Sequence, residues 1–228
     1  MITMFDLKRW QQVHREIAER AIQPVRVVAV TKGQALESLE QALAAGVRAF
    51  GESYLQEALE KQRTLRSWAI EWHFIGRIQS NKTRLIAEHF DWVHALMDRS
   101  HGERLSRARE VTGRGPLSVC VQVNISGESS KGGVTCEALP ELLAGLTDLP
   151  GIRVRGLMTL PELVGEDSGQ KVRQRFSRLR ELRDACIAGG YSMDTLSMGM
   201  SGDYREALAE GATLLRLGTL LFGSREVG

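Results

Sequence analysis

The stretch Val25-Arg26-Val27-Val28-Ala29-Val30-Thr31-Lys32, followed at once by Gly33, decides how this chain reads. It is β-branched and apolar and shows no polar alternation. That is the pattern of a strand covered on both faces in a parallel sheet. A helical pattern begins at Ala35, so Lys32 falls at the carboxyl end of a buried strand, where the chain turns toward a helix. An ammonium there is costly unless a charge meets it or its head reaches water. If it is partly desolvated, its pKa falls and the neutral amine becomes a nucleophile able to form a Schiff base. Position alone leaves both readings of Lys32 open, the snorkelling lysine and the imine-forming one.

Outward from this strand the same alternation repeats. Met4 to Ala21 reads as an amphipathic helix in front of the first strand, 25–31. The helix 36–45, with Gly46 as its stop, leads to a short strand at 47–50 and a helix at about 54–65. A third strand at 72–75 precedes a helix capped by Ser80 and running to His89, and a fourth strand follows at 92–94. Then come a polar helix from 99 to about 111, a fifth strand at 117–123 and a helix at 138–146. The sixth strand, 152–157, is followed by a long helix from about 168 to 188. A weak seventh strand at 196–198, a helix at 204–210 and an eighth strand at 214–217 complete the count. Eight strands, each with a helix or turn behind it, predict a single (β/α)8 barrel of the TIM type over 1–228, with an extra N-terminal helix. A doubly wound open sheet is the rival architecture, because the second, fourth and seventh strands are short.

Composition narrows the function classes. The chain has 228 residues, 43% hydrophobic and 25% charged, with a formal net charge of +2. That charge is too small to point to nucleic acid. Cys120, Cys136 and Cys186 are three cysteines without a CxxC pair, which suggests a reducing compartment. Neither a signal peptide nor an apolar run of the ~18 residues a membrane helix needs is present. The expectation is a cytoplasmic protein, away from membranes, and with no exposed heptad a monomer. The five histidines show no metal-ligand spacing, so no metal site is expected. His73 reads as a satisfied core histidine. Lys171 to Arg183 carries six cations, read as the wet face of a helix whose core side is Phe176, Leu179 and Leu182. Gly127 to Gly132 has the glycine spacing of a phosphate loop, but Gly133 stands where its lysine must be.

In a barrel of this type the working face is at the carboxyl ends of the strands, and phosphate sites often form after strands seven and eight. After the seventh comes Ser197-Met198-Gly199-Met200-Ser201-Gly202-Asp203, and at the eighth Arg216-Leu217-Gly218-Thr219. Glycine lets backbone N–H groups approach an anion, and each loop adds a hydroxyl. Ordinary caps and turns remain the alternative. Arg216, near the end of an apolar strand, calls for a partner: a carboxylate in a structural salt bridge, a phosphate or a ring nitrogen. A lysine for an imine and two loops for a phosphate suggest an aldehyde that bears a phosphate. Pyridoxal 5′-phosphate is one candidate and a ketose phosphate in a lysine aldolase the other.

Several stretches resemble the pyridoxal phosphate homeostasis proteins, a group similar to the amino-terminal barrel of alanine racemase. They are Ala29 to Lys32, Phe50 to Glu57, Trp72 to Lys82 (WHFIGRIQSNK), Gln122 to Ser126, Arg155 to Met158, Leu196 to Ser201 (LSMGMS) and Arg216 to Thr219. The resemblance spans the whole chain. It implies that Lys32 carries pyridoxal 5′-phosphate as a Schiff base. It implies that Ser201, with the backbone of Met200, Gly218 and Thr219, holds the phosphate. Arg216 would face the pyridine nitrogen and disfavour its protonation, which weakens the ring as an electron sink. Ile75 would lie near the ring. The family usually has asparagine at position 53. Ser53 is shorter, which puts its contact to the ring hydroxyl in question. Arg77-Ile78 also departs from the usual Pro-Leu.

The resemblance implies a binding and delivery protein for intracellular pyridoxal phosphate, with apo-enzymes as possible recipients and no robust catalysis of its own. The alternatives are a racemase-like enzyme and a lysine aldolase. Racemases of this type carry a second, β-rich domain that supplies a catalytic tyrosine. The sequence reaches Gly228 about ten residues past the eighth strand, so no such domain is expected.

Overall fold

A computed structural model describes residues 4–127, 132–160 and 168–223, and most of the rejected phosphate-loop stretch, 128–131, lies outside them. The strands are β1 (Arg26–Val30), β2 (Ala49–Glu52), β3 (Glu71–Phe74), β4 (Trp92–Leu96), β5 (Leu117–Gln122), β6 (Ile152–Met158), β7 (Thr195–Ser197) and β8 (Leu214–Leu217). Each pairs in parallel with the next, and β8 closes on β1, with Val28 opposite Arg216 and Ala29 opposite Leu217. The open-sheet rival is thereby excluded. The helices are α1 (Leu7–Arg20), α2 (Leu36–Ala44), α3 (Leu55–Thr64), α4 (Thr83–His89), α5 (Arg99–Glu110), α6 (Leu139–Leu146), α7 (Ser168–Ala188), α8 (Tyr204–Ala209) and α9 (Thr219–Phe222).

The absence of polar alternation in the first strand has a direct cause. Val27 and Ala29 face the helices in the large outer core, whereas Val28 joins Ala49, Trp92, Ala95, Cys120, Met158 and Leu214 in a separate cluster inside the barrel. Both faces are dry, so both select apolar residues. Gly46 ends the turn after α2 at φ +93°, a conformation that side chains other than glycine rarely adopt. On α7, Phe176 and Leu179 are fully buried, and the cationic face reaches Glu210 through Arg173 at 2.7 Å and Arg180 at 3.1 Å. The extra helix α1 is capped by Asp6. It docks beside α8 and α9 through Phe5 against Phe222, 5.6 Å between ring centroids, and through Glu16, which accepts from the Tyr204 hydroxyl at 2.8 Å.

Some boundaries differ from the sequence reading. The second strand lies two residues later than expected, and its last residue, Glu52, accepts inside the fold from Thr31, just past β1, and from Lys61 of α3. Ser80 does not cap a helix. It opens a short 3-10 turn, Ser80–Lys82, and its hydroxyl meets His101 Nε2 at 3.1 Å. The helix α9 was not anticipated, since four residues leave no periodicity to read.

Candidate functional site

The proposed site residues gather at one mouth of the barrel. Lys32, Ser53 and Ile75 follow the carboxyl ends of β1, β2 and β3, Met200 and Ser201 follow β7, and Arg216, Gly218 and Thr219 end β8 and open α9. These five strands are consecutive around the barrel, in the order β7-β8-β1-β2-β3. A Cβ on Gly218 would lie 3.3 Å from Val30 Cβ, and one on Gly51 would lie 3.4 Å from Ile75 and 3.6 Å from Val30. Val30 is therefore the floor between the rim of β8 and Ile75. Lys32 follows two residues later, in the turn that leaves β1 at this mouth.

The turn carrying Lys32 is clamped from outside the barrel. Lys61 of α3 is buried and donates to the Thr31 carbonyl at 2.6 Å, to Glu52 at 2.8 Å and to Glu57 at 2.5 Å. The Thr31 hydroxyl donates to Glu52 at 2.6 Å, and the Gly33 N–H donates to Glu57 at 2.6 Å. The residues on both sides of Lys32 are thus held by one helix. Burial pushes the Glu52 carboxyl up from its ordinary range, and the Lys61 ammonium pulls it back. None of this clamp was anticipated, although Glu57 and Lys61 stand four apart on a helix, a legible pairing.

The two glycine-bearing loops are joined. Ser201 Oγ accepts the N–H of Leu220, in the first turn of α9, at 3.0 Å. Ser201 keeps its own hydrogen to donate, and the N–H of Thr219, first in its helix, has no intrahelical acceptor. Met200 is less available than its sequence position implied, because its N–H donates to Asp203 Oδ1 at 2.5 Å. Burial raises the Asp203 carboxyl from its ordinary range.

Arg216 settles one alternative left open by sequence. It is buried, 4% exposed, and among the described residues it forms no ion pair. Its fork donates to Ser197 Oγ at 2.6 Å and to the Thr159 carbonyl at 2.9 Å, both neutral acceptors. Burial lowers the guanidinium to about 10, with Asp203 acting in the opposite direction. A buried cation held only by neutral acceptors is electrostatically incomplete.

Behind Arg216 a line of polar groups crosses the barrel interior. His94 Nδ1 lies 2.7 Å from Ser197 Oγ, His94 Nε2 lies 2.9 Å from His73 Nδ1, and His73 Nε2 lies 2.7 Å from Glu71 Oε1. Glu71 also accepts from Arg26. His73 is thus a satisfied core histidine, as its sequence context implied. Its neighbour in the line, His94, gave no sequence signal, because a lone histidine in an apolar strand has no periodic partner.

The family model described as alanine racemase, N-terminal domain, matches residues 5–226. The pyridoxal phosphate homeostasis protein of Pseudomonas aeruginosa is 50% identical over 204 residues, covering 90% of this chain and 86% of that protein. The solved structure of PipY from Synechococcus elongatus with PLP bound superposes with a TM-score of 0.85 at 34% identity, covering 95% and 99% of the two chains. Alanine racemase from Corynebacterium glutamicum, 17% identical with a TM-score of 0.71, shares the fold, and the match covers 95% of this chain and 60% of the racemase. On the strength of these matches along nearly its entire length, the chain belongs to the pyridoxal phosphate homeostasis protein family, built on the alanine racemase N-terminal barrel.

Proposed function

We propose that the protein binds pyridoxal 5′-phosphate as a reversible Schiff base on Lys32 and serves cytoplasmic pyridoxal phosphate homeostasis, buffering or delivering the cofactor without robust catalysis of its own. The single observation that carries this reading is Arg216, a buried guanidinium whose hydrogen bonds go to neutral acceptors, at the same mouth as Lys32 and the joined loops of Ser201 and Gly218. A ring nitrogen offers that cation a lone pair without the cost of burying an anion. When bound, the cofactor supplies an electrophilic aldehyde and an aromatic ring able to accept electrons.

This chain's own residues would then do the following. Lys32 presents the amine. Ser201, with the backbone of Gly218 and Thr219, holds the phosphate, and Met200 contributes only if Asp203 yields its N–H. Arg216 orients the ring and keeps a proton off its nitrogen, because a second cation beside a guanidinium is repelled. Ile75 packs beside the ring, and Ser53 reaches the ring hydroxyl less directly than an asparagine. The homeostasis-protein name of relatives at 40–50% identity supports the non-catalytic reading, whereas the alanine racemases are alike in fold alone. Recipients would be apo-enzymes that use the cofactor. The protein is proposed to act as a monomer, without nucleic acid or membrane, and no helix among the described residues is long and apolar enough to cross one.

Absorbance of freshly purified protein before and after borohydride tests the proposal. The visible band and the trapped adduct should both be present, and both should vanish in Lys32→Ala. A retained adduct in Lys32→Ala would overturn the lysine assignment. Steady turnover of an amino acid, lost in Lys32→Ala, would overturn the non-catalytic reading. Ser201→Ala and Thr219→Val should each weaken cofactor retention about tenfold, by loss of one hydrogen bond to a charged group. Unchanged affinity in both would remove these loops from the site.

A further inference from the structure

With both imidazoles neutral, the polar line through the barrel has one consistent proton order. Arg216 can only donate, so Ser197 Oγ accepts from it at 2.6 Å. At the other end Glu71, held by Arg26, can only accept, so His73 Nε2 carries a hydrogen. Burial keeps both imidazoles below their ordinary pKa and neutral, against the pull of Glu71 and Asp91 on His73; Arg26 opposes a proton on His73, and Arg216 opposes one on His94. A neutral His73 then accepts at Nδ1. His94 must donate from Nε2 and accept at Nδ1, and the Ser197 hydroxyl must donate to it. Every donor from Arg216 onward points toward Glu71. His73 and His94 are fully buried, in an interior that such barrels usually fill with branched apolar side chains. Two desolvated imidazoles at that place fit a task that apolar residues would not perform.

We infer that Ser197, His94, His73 and Glu71 are positioning residues, which fix the plane of Arg216 and, through an ordered hydrogen-bond line from the opposite end of the barrel, set how strongly it donates to a ligand's ring nitrogen. With Ser197 and the Thr159 carbonyl holding its two terminal nitrogens, the guanidinium cannot rotate away. Polarised hydrogen bonds strengthen one another, so the negative charge on Glu71 is passed along the line toward Arg216. The inference rests on the reading above, that Arg216 faces the pyridine ring.

The test measures the Kd and absorption maximum of pyridoxal 5′-phosphate on the whole protein. Ser197→Ala should raise Kd about tenfold and shift the band, as expected for a lost hydrogen bond to a charged group, and Ser197→Thr, which keeps the hydroxyl, should restore both. Glu71→Gln, far from the ligand, should raise Kd a few-fold in the parent chain and add nothing in the Ser197→Ala background, the signature of two sites in one line. Parent-like Kd and band in both single variants, or equal effects of Glu71→Gln in both backgrounds, would overturn the inference. If the parent chain takes up no pyridoxal 5′-phosphate, the functional reading falls and this inference with it. A measurement on the ligand-free protein keeps the line falsifiable even if a variant misfolds. Imidazole nitrogen NMR near neutral pH should show His73 and His94 as neutral Nε2–H tautomers. An Nδ1–H tautomer or an imidazolium at either would overturn the order.

Discussion

Two buried polar clusters flank the same barrel mouth and are built in opposite ways. Outside the barrel, Lys61 is held between Glu52 and Glu57 and steadies the turn of Lys32 with formal charges. Inside, Ser197, His94 and His73 steady Arg216 with neutral hydrogen-bonding groups, and the nearest anion of the line, Glu71, sits at the far end. The outer cluster has opposite charges in contact, so it tolerates the low dielectric. The inner one must leave Arg216 with unsatisfied charge if that residue is to meet a ligand. A carboxylate against Arg216 would complete the cation and remove its use. The comparison teaches that the support of a binding group is chosen by what the group must still be able to do.

The largest effect that would sharpen this contrast is expected from Lys61→Met. It leaves Glu52 buried without its cation, a loss of about 3–5 kcal/mol of stability, and adding Glu52→Gln should recover much of it. A denaturant titration measures both, and a neutral single variant would show that the outer cluster is not held by charge. His94→Gln comes next. It can still reach one neighbour but orphans another, for about 1–3 kcal/mol, read by the same titration.

The pH response separates the clusters further. His73 and His94 are held below 6.5 by burial, so they stay neutral in the fold and gain a proton on unfolding. Their share of stability is present above about pH 6.5 and is lost as pH falls toward their depressed values, by up to ~1.4 kcal/mol per pH unit for each histidine. Glu52, raised by burial, runs the other way: its share is greatest below the ordinary carboxylate pKa and lost as pH rises. Unfolding midpoints at a series of pH values from neutral to mildly acidic should fall with pH, and the fall should be shallower in His94→Gln. An unchanged slope in that variant would break the assignment of neutral histidines. The smallest effect is expected from Glu57→Gln. That carboxylate is 27% exposed, so its pair with Lys61 is partly screened and worth under about 1 kcal/mol.

Much of the mouth was legible because its signals are local. The two-sided apolar strand before Lys32, the serine and glycine of Met198 to Ser201 and the Gly218-Thr219 turn each lie within a few consecutive residues. The outer clamp was half legible, since Glu57 and Lys61 fall on one helix face, yet Glu52, just past the strand expected at 47–50, gives no signal until Lys61 is placed beside it. The Met200 N–H looked available because nothing in the sequence says that Asp203 turns back three residues to take it.

By itself the sequence determined the alternation of dry strands and amphipathic helices, and with it the barrel, because periodicity reports which side of each element avoids water. It also placed a lysine and two anion-suited loops at strand ends. Only the tertiary structure decided what surrounds them. Barrel closure brings β3, β4, β7 and β8 to one axis, and there single polar residues, each unremarkable within its own strand, come within hydrogen-bond distance of one another. Such contacts depend on register and closure across strands far apart in the chain, which no local pattern encodes.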